Sequence, residues 1–139
     1  MLEATIVWKG NLRFEAKTGS GYLIPMDAKI ESGGEGSAPT PFELIPASVG
    51  ACTGLDIVTI LKKSKQELTR FEMKVNIQQA PEHPKRATAI EIEYFLYGKN
   101  LDENKVKHAI ELSHEKYCPV GATLKYAAPI MFKYQIISE

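Results

Sequence analysis

From Leu44 to Leu61 apolar residues fall on most of the circumference that a helix of this length presents. A helix without a broad polar face has to be covered by other parts of the molecule. The segment therefore predicts a helix buried in a core or at a subunit interface, with the rest of the fold arranged around it. Its start is marked by Thr40-Pro41-Phe42-Glu43, which has the form of a capping box: Thr40 as N-cap, Pro41 at the first helical position and Glu43 reaching back to the Thr40 amide. Pro46 is expected to kink the helix locally. Lys62, Lys63 and Lys65 stand at its end, where cations suit the C-terminal dipole and need no partner.

The flanking segments carry a period of two. Ala4, Ile6 and Trp8 alternate with Thr5 and Val7, and Leu12, Phe14 and Ala16 alternate with Arg13 and Glu15, so both read as strands, joined at Gly10-Asn11 by a tight turn. A short strand is expected over Tyr22 to Met26. Residues 27–40 hold Gly33, Gly34, Gly36, Ser32, Ser37 and Pro39 and predict a mobile loop, either a lid or a connector. Phe71 to Ile77 and Ile90 to Leu96 predict a second hairpin across Ala80-Pro81-Glu82-His83-Pro84. Asn100 and Glu103 open a further helix that runs to Cys118-Pro119, a short helix follows, and Ile130 to Ile136 make a closing strand. The expectation is one α+β domain over residues 1–139 with largely antiparallel sheet.

Charge and composition narrow the function. Lys and Arg total 17, as do Asp and Glu, so the steering field that a phosphate backbone requires is missing and nucleic acid is not an expected partner. Pro46, Asp56 and several hydroxyl residues make the central apolar run read as too polar for a spanning helix, so no membrane is expected. Met1-Leu2-Glu3 leads straight into a strand-like run without the form of a cleaved signal. A cytoplasmic address follows, where thiols stay reduced, and two cysteines there suggest catalysis, redox sensing or burial rather than a staple.

Cys52 lies at the middle of the central helix. A free cysteine packs well as a small hydrophobe, yet Ser48, Cys52 and Asp56 form a polar row on an otherwise apolar helix. That row is either a site or a set of hydrogen bonds to the backbone and a neighbouring element. Cys118, followed by Pro119, stands where an N-cap residue would, and unpaired amides at a helix start favour a thiolate. By position alone Cys118 is the better-activated thiol, and the nucleophile stays undecided. His114, four residues before Cys118, reads as a surface histidine, and with His83 and His108 it supplies no metal-ligand spacing. Gly33-Gly34-Glu35-Gly36 lacks the preceding strand and the Lys of a phosphate loop. No cofactor is expected.

Pro41-Phe42-Glu43-Leu44-Ile45-Pro46-Ala47-Ser48-Val49-Gly50-Ala51-Cys52, then Leu55-Asp56-Ile57-Val58, then Tyr117-Cys118-Pro119-Val120-Gly121, together resemble the paired signature of the OsmC/Ohr family. The resemblance is closest to an OsmC-like branch whose helix reads Gly-Cys-x-x-x-Asp-Val-Val-x-Ile-Leu and whose second motif reads Glu-Lys-Tyr-Cys. It implies an OsmC-like fold, with antiparallel sheets wrapped around a long buried central helix in an intertwined homodimer. It also implies a peroxidase in which Cys52 attacks the peroxide and Cys118 resolves the sulfenic acid as a disulfide, later reduced by a small or protein dithiol. Ohr members support the thiolate with an Arg after the first strand, and Arg13 lies in the corresponding stretch, with Arg70 and Arg86 as alternatives. Their Glu ten residues before the nucleophile is here Phe42, which is free to form an apolar mouth for the substrate. Glu43, nine before, points to the opposite side of a regular helix unless the Pro46 kink rotates it. Two other readings stay open: a protein of the same fold that binds a small apolar ligand without catalysis, and a redox sensor.

Overall fold

A computed structural model describes residues 1–139. The chain divides into two compact units, Met1–Ile45 and Pro46–Glu139.

In the first unit, β1 (Ala4–Trp8), β2 (Phe14–Thr18) and β3 (Leu23–Met26) form an antiparallel sheet in that order. Asn11 carries a φ of 46° after Gly10 at 97°, the left-handed pair that a tight hairpin needs. Segment 27–40 is largely exposed but tied by hydrogen bonds, where its composition predicts a mobile loop. The buried Asp27 carboxylate accepts from Ala28 N (2.7 Å), Glu35 N (3.3 Å), Ser37 N (3.1 Å) and Ser37 Oγ (2.6 Å). Asn11 Nδ2 donates to Gly33 O at 3.2 Å, tying the segment to the β1–β2 turn. Glycine and serine content reads as mobility only while no acceptor gathers the freed amides, and Asp27 is that acceptor.

In the second unit, β4 (Arg70–Gln79) pairs antiparallel with β5 (Ala87–Gly98), and β5 pairs with β6 (Ile130–Ser138). This last pair is parallel, with Tyr94 opposite Tyr134, so the closing strand departs from the antiparallel expectation. The crossover holds α2 (Glu103–Leu112) and α3 (Pro119–Leu124), enough chain for the return a parallel pair needs. Helix α2 is capped by Asp102, which accepts from Asn104 N (2.8 Å) and Lys105 N (3.3 Å). Asn100, expected to open this helix, instead takes a positive φ of 57° in the turn before it. The core gathers Val49, Ile57 and Leu61 of the long helix α1 (Leu44–Lys63), Ile90, Ile92, Tyr94 and Leu96 of β5, and Val106, Ala109 and Ile110 of α2.

The start of α1 corrects two expectations. Pro41–Glu43 form a 3₁₀ turn, and the α-helix begins only at Leu44. Pro46 consequently falls in the first turn of α1, where its missing N–H would have had no partner, and a kink is not required. By length and composition the stretch Pro41–Lys63 is apolar enough to cross a bilayer, contrary to the reading that its polar residues exclude this. A core helix of a globular protein meets the same criterion, and here one face, Val49, Gly50, Thr53, Gly54, Ile57 and Leu61, is buried in the second unit.

Candidate functional site

Helix α1 sets the first thiol. Gly50 and Gly54 let it lie close on β4: a methyl group at Gly50 would stand 3.1 Å from Val75 Cγ2, and one at Gly54 2.7 Å from Met73 Cε. Cys52, between them in sequence, is half-buried and free.

The second thiol is set by an irregularity. Helix α2 runs into a π turn, Ser113–Tyr117, closed by Cys118 N donating to Ser113 O at 2.9 Å. Such single π turns are frequent at functional sites. Cys118 then caps α3 with extended backbone and Pro119 behind it, and its Sγ accepts from Gly121 N at 3.2 Å. The cap expected from the sequence is present, but the activation is not. Only 2% exposed, Cys118 has its thiol pushed up to about 11 by burial, with the adjacent Cys52 thiol adding to the rise. Desolvation of a charged sulfur outweighs the help of the cap amides. The two thiols lie near each other in one unit.

Beside them in the chain, at Thr53 and at Ser113 and His114, runs a buried polar network. Thr53, next to Cys52, donates its hydroxyl to Gly50 O (3.0 Å) and accepts from Tyr94 OH (2.9 Å), whose oxygen lies 2.9 Å from His114 Nε2. Ser113 Oγ donates to Asp56 Oδ2 at 2.8 Å. The polar row on α1 is thus explained at Asp56 by a hydrogen bond to a neighbouring element. His114 is not a surface histidine: its ring stacks on Phe132 at 4.6 Å and 17°, and burial holds its basicity below the usual histidine value. Burial likewise pushes the Tyr94 phenol far up, with Cys118 and Asp56 near enough for their charge to add to the effect. Thr53, Tyr94 and Ser113 were not singled out by sequence. The available signal was Tyr94 itself, which occupies an inward position among Ile90, Ile92 and Leu96, since a buried tyrosine hydroxyl has to find a partner.

The remaining expected residues are engaged as follows. Arg13 donates from Nη1 to Ser37 Oγ at 2.6 Å, and that hydroxyl donates to Asp27, so the guanidinium is held by segment 27–40 of its own unit. Glu43 completes the capping box by accepting from Thr40 N at 2.7 Å, which draws its pKa below the usual carboxylate value. Phe42 is half-buried in the same turn. Arg70 pairs with Glu72 and lies over the Tyr97 ring, and Arg86 donates to Ala87 O. No three His, Cys, Asp or Glu side chains come together as metal ligands.

Comparison with known proteins bears on the whole of this arrangement. A family model described as OsmC-like protein matches residues 34–133. Protein YhfA of Escherichia coli K12 is 32% identical over 137 residues, which are 99% of each chain. A hypothetical protein from Aquifex aeolicus VF5 superposes with a TM-score of 0.87 at 30% identity, over 100% of this chain and 98% of that one. An organic hydroperoxide resistance protein OsmC from Legionella pneumophila has the same fold, with a TM-score of 0.69 at 19% identity over 97% and 96% of the two chains.

Proposed function

Because the chain belongs to the OsmC-like family, a group linked to peroxide resistance, we propose that it is a thiol peroxidase working through Cys52 and Cys118. The observation that carries this reading is the closeness of two free cysteines of unequal exposure. Cys52 is half-buried and open to substrate, whereas Cys118 is buried and strongly protonated, so Cys52 is the attacker and Cys118 the resolver. The Cys52 thiolate attacks the O–O bond and becomes a sulfenic acid, and an alcohol or water leaves. Cys118 displaces the sulfenic oxygen to give a disulfide, which a small or protein dithiol then reduces. In this reading Glu43 serves as the capping acid, while Arg13, Arg70 or Arg86 as the supporting cation and Phe42 as part of the substrate mouth rest on the family resemblance alone.

A homodimer in the cytoplasm accompanies the proposal. Leu55 (72% exposed) and Val58 (45%) lie bare on α1, and all five residues of β1 are exposed in the single chain, surface that a second copy would cover. The test is consumption of hydrogen peroxide and of an organic hydroperoxide with dithiothreitol as reductant. Activity should vanish in Cys52→Ser, and full activity in that variant would overturn the assignment.

A second reading draws on the open groove of about 410 Å³ lined by Pro46, Ala47, Gly50, Ala51, Met73 and Val75, which suits a small apolar ligand. It predicts a co-purifying apolar compound and thiols inert to peroxide. A sulfenic acid trapped at Cys52 would exclude it.

A further inference from the structure

The sequence holds four methionines, and their settings differ. Met1 and Met131 are exposed, and Met26 stands in the sheet of the first unit opposite Phe14. Met73, on β4 opposite Tyr94, is packed between that strand and α1.

Two contacts define its position. A methyl group at Gly54 would stand 2.7 Å from Met73 Cε, and one at Gly50 would stand 3.4 Å from the sulfur. The thioether thus fills the space that the two glycines leave, and an oxygen added to the sulfur on that side would press on the helix backbone. Met73 and Gly50 also line the open groove of about 410 Å³, with Pro46, Ala47, Ala51 and Val75 around them. A small oxidant has access from there. On the groove side an added oxygen would be a strongly polar group among side chains that offer it no hydrogen-bond donor, and such a group is costly to leave unpaired. Either placement weakens the contact through which β4 holds the helix that carries Cys52.

We propose that Met73 is an oxidation site for a small hydroperoxide, and that its conversion to the sulfoxide loosens α1 from β4. The sulfur attacks the terminal peroxide oxygen, and the S–O bond forms as the O–O bond breaks. The hydroxyl proton passes to the departing oxygen, which leaves as water or an alcohol, so the sulfur is oxidised and the peroxide reduced. No thiol takes part, and the inference does not rest on the two-cysteine cycle.

The test exposes the native protein to hydrogen peroxide, returns its cysteines with dithiothreitol, and maps added oxygen by peptide mass alongside the melting temperature. Met1 and Met131 should take oxygen first and leave the melting temperature unchanged. Oxygen at Met73 should accompany a fall of about 4–8 °C and faster hydrogen exchange in the peptides of α1 and β4. Methionine sulfoxide reductases A and B should restore both. Met73→Leu keeps the volume of the side chain without its sulfur and should hold its melting temperature through the same treatment, whereas Met131→Leu should lose it as the native protein does. Met73 free of oxygen once Met1 and Met131 are fully oxidised would overturn the proposal. So would an equal fall in Met73→Leu, or oxygen at Met73 with melting temperature and exchange unchanged. Cys52→Ser should take oxygen at Met73 as the native protein does, so a failure of the peroxidase reading leaves this site standing and the reverse holds too.

Discussion

Cys118 shows how far one residue's chemistry depends on where its neighbours put it. An amide at the start of α3 reaches its sulfur, as Cys118-Pro119 led one to expect, yet the buried setting leaves it a protonated thiol at neutral pH. The resolving role proposed for Cys118 tolerates this, because a resolving thiol acts only once a sulfenic acid stands beside it. Replacing it by serine should stop the cycle after the first step: Cys118→Ser is expected to accumulate a sulfenic acid at Cys52, read as a dimedone adduct by mass, and to lose turnover with dithiol. Asp27 makes the opposite case of an ionised group. Its carboxyl is held at about 2, mainly by the Ser37 hydroxyl and amide, below an unfolded value of 3.8. A depressed carboxylate lends stability that is present above the unfolded value and is lost as pH falls through the folded one. Proteolysis within segment 27–40 should therefore increase between about pH 4 and pH 2. In Asp27→Asn the segment should be cut readily at all pH values, without that acid dependence.

Among the elements, segment 27–40 and the π turn are where irregular backbone is put to use. Gly34 passes so close to Ala28 that an added Cβ would stand 2.1 Å from the Ala28 carbonyl oxygen, a clash with backbone that no side chain can relieve by turning. Gly34→Ala is expected to open this segment, at a cost of about 1–3 kcal/mol, with faster hydrogen exchange at the Glu35 and Ser37 amides that Asp27 now protects. The π turn adds one residue to the last turn of the second-unit helix pair, and the gain is that Ser113 and His114 both face the interior before the chain reaches Cys118. Strand and helix identities were legible beforehand, because a period of two or of 3.6 is a property of neighbouring residues. The π turn was not, since a helical pattern with Val106, Ala109, Ile110 and Tyr117 on one face is nearly the same with or without one inserted residue.

For the molecule as a whole, the bare apolar residues of α1 and β1 lead to the expectation that the protein sediments as a dimer. Leu55→Glu should shift it towards monomer in analytical ultracentrifugation, and an unchanged sedimentation coefficient would place the interface elsewhere. The chain's own sequence determined its element types, the capping box at Thr40 and Glu43, the long apolar helix and the two cysteine blocks, each set by residues close together in the chain. Tertiary structure alone decided that β6 runs parallel to β5, that Asp27 gathers the amides of its loop, and that Thr53, Tyr94 and His114 meet in one buried network. The reason is physical: periodicity and capping are local, whereas desolvation and through-space hydrogen bonds depend on segments as far apart as Asp56 and Ser113, which no local pattern reports.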